Sequence, residues 1–273
     1  MNIPPHGEPR VAVLGLGAIG KRVLQELRDY LLPDGVYAGY DRTEALEKLA
    51  GAGGIQFVAS VDALLDWRPD LAIECAGHAV VLGVVPQLLR HGVDVMLVSI
   101  GALADDELRA YLQACARLGG ARLITVSGAI GGLDALDAAR RAALKSVTYI
   151  GRKPPLAWRG TPAETVVDLA ALATPTVIYE GTARGSARQF PKNANVTAAV
   201  ALAGIGFDRT QVKLVADPTV ERNVHELEVQ GDFGSFFIRL ENNPLPDNPK
   251  TSWLAALSIE AELRKYFQLP SQH

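Results

Sequence analysis

Val11-Ala12-Val13-Leu14-Gly15-Leu16-Gly17-Ala18-Ile19-Gly20 joins a short apolar run to three glycines at G-x-G-x-x-G spacing. The stretch behind it, Lys21–Leu32, puts Val23, Leu24 and Leu27 on one helical face. Strand, glycine turn and helix in immediate succession have a chemical use. The glycines permit a tight turn, and Gly17 lets backbone approach a pyrophosphate. The helix N-terminus then offers unpaired N–H groups and the positive end of its dipole. The six-residue pattern alone is weak, and a plain strand–helix turn competes with it; the flanking elements decide for a dinucleotide. Gly15, Gly17, Ala18, Ile19 and Gly20 are the predicted cradle. Asp41 ends the next strand, Val36–Tyr40, about 20 positions on, where a carboxylate can accept from ribose hydroxyls. Asp41 favours NAD, whereas Arg42 could pair with a 2′-phosphate and leaves NADP open.

Outward from this motif the alternation continues. Strands are expected at Phe57–Ala59, Leu71–Ile73, Val93–Val98 and Arg122–Val126, with helices at Glu44–Ala50, Val61–Asp66, Val80–His91 and Asp105–Leu118. Alternating strands and helices mark a parallel sheet covered on both faces. Beyond residue 128 the character changes. Val147–Ile150 reads as a strand, Gly151–Glu164 as a Pro/Gly-rich loop, and Asn195–Ala203 as a helix of small residues after the turn Phe190–Asn193. Three closely joined strands follow, Gln211–Ala216, Asn223–Gln230 and Phe233–Glu241, which predicts antiparallel pairing with a hairpin at Gly231-Asp232. Asn242–Lys250, with three prolines, reads as a linker. Thr251 or Ser252 can cap a last helix, Trp253–Tyr266, whose Leu254, Leu257 and Ala261 would face a core. The expected fold class is α/β: a Rossmann-type parallel-sheet domain, 1–128 plus a C-terminal helix at about 250–270, and a smaller α+β catalytic domain with a mixed or antiparallel sheet, 129–249.

Composition narrows the function classes. The 273 residues are 48% hydrophobic and 21% charged, with net charge −3, which suits a globular core and argues against nucleic-acid or anionic-membrane partners. Two cysteines make no disulfide framework and fit a reducing cytoplasm. Met1–Arg10 is polar and does not read as a signal peptide, and no stretch is long and apolar enough to span a bilayer. No metal-ligand spacing is present, so no metal is expected.

Candidate site residues lie at strand ends. Glu74-Cys75-Ala76-Gly77-His78 follows the strand Leu71–Ile73, on the edge where such sheets bind ligands; Cys75 and Ala76 are expected beside the cofactor, with Cys75 a small buried filler. Ser127-Gly-Ala129-Ile-Gly-Gly132 is a glycine-dense connection that serves as ligand contact, hinge or both. His225 alternates with Asn223, Leu227 and Val229 on the inward strand face, opposite Glu226 and Glu228. A histidine there is most often a satisfied core residue, yet imidazole is suited to proton transfer beside a hydride step. Lys153 and Lys192 lie in turns and could hold an anion. These residues leave open a dehydrogenase, another two-domain reductase of the dihydrodipicolinate reductase kind, or a non-catalytic NAD(H) sensor.

Several stretches, in order along nearly the whole chain, resemble the L-aspartate dehydrogenase family: Val11–Gly20, Glu74-Cys-Ala-Gly77, Ser127–Gly132, Gly151-Arg-Lys-Pro-Pro155, Phe190-Pro-Lys-Asn-Ala-Asn195 and Asn223-Val-His225. The resemblance implies a homodimer that passes hydride from Cα of L-aspartate to nicotinamide C4 of NAD or NADP. The product, iminosuccinate, feeds NAD biosynthesis or hydrolyses to oxaloacetate and ammonia. It further implies that Ala129 and Asn195 contact the coenzyme and that His225 is the active-site residue. With two carboxylates to bind, the substrate makes Lys153, Lys192 and Asn193 candidate partners, the latter two just before a helix N-terminus.

Overall fold

Val11, Ala12, Val13 and Leu14 are fully buried, as a central strand with helices on both faces requires. The computed structural model describes residues 7–42, 54–245 and 248–270, with the side chains of Lys192 and 248–250 outside that set; the helix expected at Glu44–Ala50 lies outside the described residues. The chain forms two compact units, Met1–Val126 with Ala256–His273, and Ser127–Ala255.

In the first unit, six strands run in the order β3-β2-β1-β4-β5-β6, every neighbouring pair parallel. They are β1 (Arg10–Leu14), β2 (Val36–Tyr40), β3 (Ile55–Val58), β4 (Leu71–Glu74), β5 (Asp94–Leu97) and β6 (Leu123–Thr125). Strand order reverses between β1 and β4, which opens a crevice at their carboxyl ends. Helix α1 (Ala18–Glu26) passes into a π turn, Leu27–Leu31, rather than running on as one helix. After α2 (Val61–Trp67), the single helix expected at Val80–His91 is two, α3 (His78–Gly83) and α4 (Val85–Arg90). Pro86 at the start of α4 has no N–H to continue the ladder. Helix α5 (Asp106–Gly119) is capped by the Asp105 carboxylate, which accepts from the N–H groups of Glu107 and Leu108.

In the second unit, after α6 (Leu133–Ala139), a mixed sheet has the order β11-β10-β7-β9-β8. Its strands are β7 (Leu144–Lys153), β8 (Thr176–Thr182), β9 (Gln211–Ala216), β10 (Asn223–Gly231) and β11 (Gly234–Asn242). Two helices, α7 (Ala183–Gln189) and α8 (Ala194–Ala203), lie between β8 and β9 in the chain. The expected β9–β10 pairing does not form. β7, with Val147 and Tyr149 buried, takes the middle place, parallel to β9 and antiparallel to β10. The hairpin is also displaced: Gly231 pairs with Gly234, so Asp232-Phe233 is the turn and Gly234 carries the positive φ of +116°. The expected linker holds a small hairpin, β12 (Pro244–Leu245) with β13 (Asn248–Ser252), short enough to keep its prolines at sheet edges.

Helix α9 (Trp253–Tyr266) spans the boundary between the units. Its buried residues are Ala256, Ser258, Ile259 and Leu263, and Leu257 is 38% exposed, so the apolar face is offset from the one expected. Ile259, Leu263 and Phe267 join Val11, Val13, Leu27 and Met96 in one core of the first unit.

Candidate active site

The glycine turn is held from three sides. Gly15 has φ +88°, and a Cβ there would lie 2.5 Å from the Ala76 Cα. A Cβ on Gly20 would run into the carbonyl oxygen of Gly15, so only glycine lets α1 pack this close. Gly17, by contrast, faces open space: nothing lies within 4 Å of a Cβ built there. It stands at the N-cap of α1 with no side-chain cap, where the first-turn N–H groups of Ala18, Ile19 and Gly20 have no helical carbonyl to meet. A tight turn, a bare approach at Gly17 and a helix N-terminus fit a pyrophosphate. Ile19 turns the other way and packs on the apolar core.

Asp41 closes the turn. Its Oδ2 accepts from Leu16 N at 2.7 Å and its Oδ1 from its neighbour Arg42 N at 2.7 Å. Each carboxylate oxygen keeps a lone pair for a ribose hydroxyl. Arg42 is exposed beside it.

Glu74, fully buried at the end of β4, is a residue whose work the sequence reading missed. Its Oε1 accepts from Ala76 N at 2.8 Å, Gly77 N at 2.7 Å and Ser99 Oγ at 3.0 Å, and its Oε2 from Ser99 N at 2.9 Å. Four donors satisfy a carboxylate that apolar surroundings would otherwise penalise. The contacts tie the loops after β4 and β5 together at the carboxyl edge of the sheet. An acid closing the apolar run Leu71-Ala-Ile73 was the available signal. Cys75, partly buried, packs against the core, and burial pushes its thiol well above the ordinary range, which suits a small filler better than a nucleophile.

The second unit brings a different set together. His225 is 4% exposed on β10 and sits opposite Gly151 on β7. Its Nδ1 lies 2.7 Å from Tyr149 Oη, and its Nε2 lies 3.5 Å from Ser252 Oγ. Burial, with the charge of Lys153 as a smaller contribution, pushes the imidazole down to about 3. Lys153 shares this strand face, since β7 alternates through Tyr149, Gly151 and Lys153. Its Nζ donates to Asn193 Oδ1 at 2.6 Å and stands over the Trp158 ring, 5.3 Å from the centroid. Burial lowers the ammonium to about 8. No ion pair to a carboxylate is found for Lys153 among the described residues. The opposite face of the same sheet is balanced: Glu226 pairs with Arg152 at 2.9 Å and with Arg239.

The remaining predicted residues of the second unit lie in the turn before α8, in its first turn, and in the segment before α6. Asn193 is the N-cap of α8, and Asn195 is part-exposed in its first turn. Lys192 lies in the 3₁₀ turn Pro191–Asn193, its side chain outside the described residues. Ala129 is buried, its carbonyl accepting from Asn242 Nδ2 at 2.9 Å. Gly131 and Gly132 lie against Leu240 and Ile238, whose register puts them on the His225 side of β11. Tyr149 and Ser252 were not singled out in sequence; one lay in a strand, the other in a supposed helix cap.

Two family models divide the chain. Residues 15–125 match the NAD-binding domain of homoserine dehydrogenase, and residues 134–266 match the C-terminal domain of aspartate dehydrogenase. An L-aspartate dehydrogenase of Cupriavidus necator is 45% identical over 253 residues, covering 91% of this chain and 94% of that protein. The chain belongs to the L-aspartate dehydrogenase family. Other L-aspartate dehydrogenases agree: that of Ruegeria pomeroyi is 45% identical over 96% of this chain and 94% of its own length. The solved aspartate dehydrogenase of Thermotoga maritima superposes with a TM-score of 0.73 at 25% identity, over 97% of this chain and 98% of that one. GenD2 of gentamicin A biosynthesis, solved with NAD, shares the fold at a TM-score of 0.58 and 15% identity, over 97% and 88% of the two chains. The first unit of this L-aspartate dehydrogenase family member is accordingly a nicotinamide-dinucleotide domain.

Proposed function

We propose that this chain is an L-aspartate dehydrogenase using NAD or NADP, a cytoplasmic homodimer that converts L-aspartate to iminosuccinate. Support for the chemistry comes from one arrangement: a neutral, buried His225 shares a sheet face with Lys153, a half-buried ammonium held by an amide rather than a carboxylate. The bound dinucleotide supplies the hydride acceptor. The Gly15–Gly20 turn would hold its pyrophosphate and Asp41 its ribose, with Cys75 and Ala76 next along the same sheet edge. The α-amine must be neutral for its lone pair to expel hydride. His225 takes the amine proton, and in the reverse direction returns it to the forming amine. Its low proton affinity without substrate keeps it ready as a base, and two substrate carboxylates beside the ring raise that affinity once bound. Lys153, Asn193 and Lys192 receive those carboxylates.

The deciding assay follows absorbance at 340 nm with aspartate and each oxidised coenzyme in turn. Growth of the signal with aspartate and oxidised coenzyme, and no decay of it with cyclic imines and reduced coenzyme, excludes both a lysine-pathway-type reductase and a silent sensor. Light scattering reads the oligomeric state.

Lys153 gives a pH dependence of known sign. Its proton is present below about 8 and lost above it. The kcat/KM for aspartate is therefore expected to fall as pH rises through that value, since this ratio reports the free enzyme. His225 adds no acid limb between pH 5 and 8, because its own transition lies near 3. Lys153→Met should raise KM for aspartate by about 10–100-fold, the worth of a charge-assisted bond. Lys153→Arg should remove the alkaline limb.

Coenzyme choice is tested at Asp41. Asp41→Asn keeps an oxygen for Leu16 N–H but removes the charge that opposes a 2′-phosphate beside Arg42. The NADH-to-NADPH affinity ratio is expected to shift toward NADPH by about tenfold, read by fluorescence titration.

A further inference from the structure

Glu74 takes up the N–H groups of two loops. After β4, the N–H of Cys75 goes to the Leu14 carbonyl at 2.7 Å, and those of Ala76 and Gly77 go to Glu74 Oε1. After β5, the Ser99 N–H goes to Glu74 Oε2, and Ser99 opens a buried 3₁₀ turn, Ile100–Ala104. A backbone N–H can only donate, so the sense of these bonds is fixed. In a planar trans peptide the C=O points opposite to the N–H. The Cys75 and Ala76 carbonyls therefore point away from the buried carboxylate, and no donor meets either of them among the described residues. Ala76 is exposed, and a Cβ on Gly77 would meet nothing within 4 Å.

This polarity is the reverse of that in the turn after β1, whose first-turn N–H groups stand free. One loop suits phosphate, and the other suits hydroxyl or amide donors. Strand order sets where each part of a dinucleotide goes. With the pyrophosphate at the end of β1, and Asp41 after β2 for the adenosine ribose, the other half is left the ends of β4 and β5. That half carries ribose hydroxyls and a carboxamide. We propose that Glu74 is a positioning residue for the nicotinamide half of the coenzyme: by holding the N–H groups of both loops inward, it turns loop carbonyls toward those donors and fixes the two loops against each other. This rests on the reading of the first unit as a dinucleotide domain. Glu74 itself is fully buried and acts through the loops. Ala76 links them to the phosphate turn, since its Cα fills the place that a Cβ on Gly15 would need.

Glu74→Gln separates this role from a merely structural one. Its carboxamide oxygen can still accept from Ala76 and Gly77, which keeps the β4 loop against Gly15. Its NH₂ group then faces the Ser99 N–H, donor against donor, and the β5 loop is let go. The test uses the full-length protein, with NADH affinity read by fluorescence titration and ADP affinity by calorimetry. ADP carries the adenosine and the pyrophosphate but no nicotinamide half. Glu74→Gln is expected to raise the NADH dissociation constant about tenfold and to leave that of ADP within about twofold. Ser99→Ala removes only the hydroxyl contact at 3.0 Å and should give the same split at about threefold. Thermal melting checks that each variant is folded. Unchanged NADH affinity in a folded Glu74→Gln protein overturns the proposal, as does an equal loss for NADH and ADP. The same two outcomes in Ser99→Ala decide where Glu74→Gln does not fold. A wild-type protein that binds neither NADH nor ADP overturns the dinucleotide reading instead.

Discussion

Replacing His225 by alanine is expected to cut turnover with L-aspartate by ~10²–10⁴-fold and to leave NADH affinity within about twofold. The loss follows from chemistry. Without a base the α-amine stays protonated at neutral pH, and its lone pair is unavailable when hydride departs. The retained affinity follows from topology, because the dinucleotide cradle belongs to β1, α1 and β2 of the first unit, whereas His225 is on β10 of the second. The truncation also strands Tyr149 Oη, whose hydrogen-bond partner among the described residues is the imidazole. Some stability is therefore lost as well, on the order of 1–3 kcal/mol for an orphaned buried hydroxyl. His225→Asn limits that loss, and thermal melting separates it from turnover. Unchanged turnover in a folded His225→Ala protein would remove this residue from the mechanism.

Gly20→Ala should raise the NADH dissociation constant by about 10–100-fold, because overpacking here costs roughly 1–3 kcal/mol and falls on the binding loop itself. The added methyl meets the Gly15 carbonyl, which is backbone and cannot rotate away. Helix α1 must lift from β1, taking its first-turn N–H groups off the pyrophosphate position. Gly17→Ala makes the informative companion. Its methyl enters open space, so the melting temperature should hold while NADH binding weakens. Equal affinity in Gly17→Ala and wild type would mean that the pyrophosphate does not approach there.

The parallel half of the fold was legible because each buried strand is a continuous apolar run followed by a glycine or small-residue turn, as at Val11–Gly15 and Leu71–Gly77. The second half was harder for stated physical reasons. Thr176–Thr182 is a half-exposed strand beside β9, without a clean apolar alternation, and Ala183–Gln189 is a short helix with two arginines. Neither declares itself by period. Pairing went wrong at β9 and β10 because adjacency in sequence cannot reveal that β7 lies between them. The glycines, Asp41 and His225 could be put forward from the sequence because one residue type there implies one use. Glu74 and Tyr149 could not, since a carboxylate meeting four donors and a phenol meeting an imidazole exist only after distant strands meet.

The core that holds Val11 and Met96 is completed by Ile259, Leu263 and Phe267. On the ribosome, those three emerge only after the whole of Ser127–Ala255 has been made. The later unit is contiguous and can close first, while the earlier one waits with an uncovered greasy groove. A nonsense codon anywhere from Trp253 to Ile259 would strike the amino-terminal half of the fold, leaving the nascent product sticky and open to proteases although every residue of its nucleotide cradle had been translated.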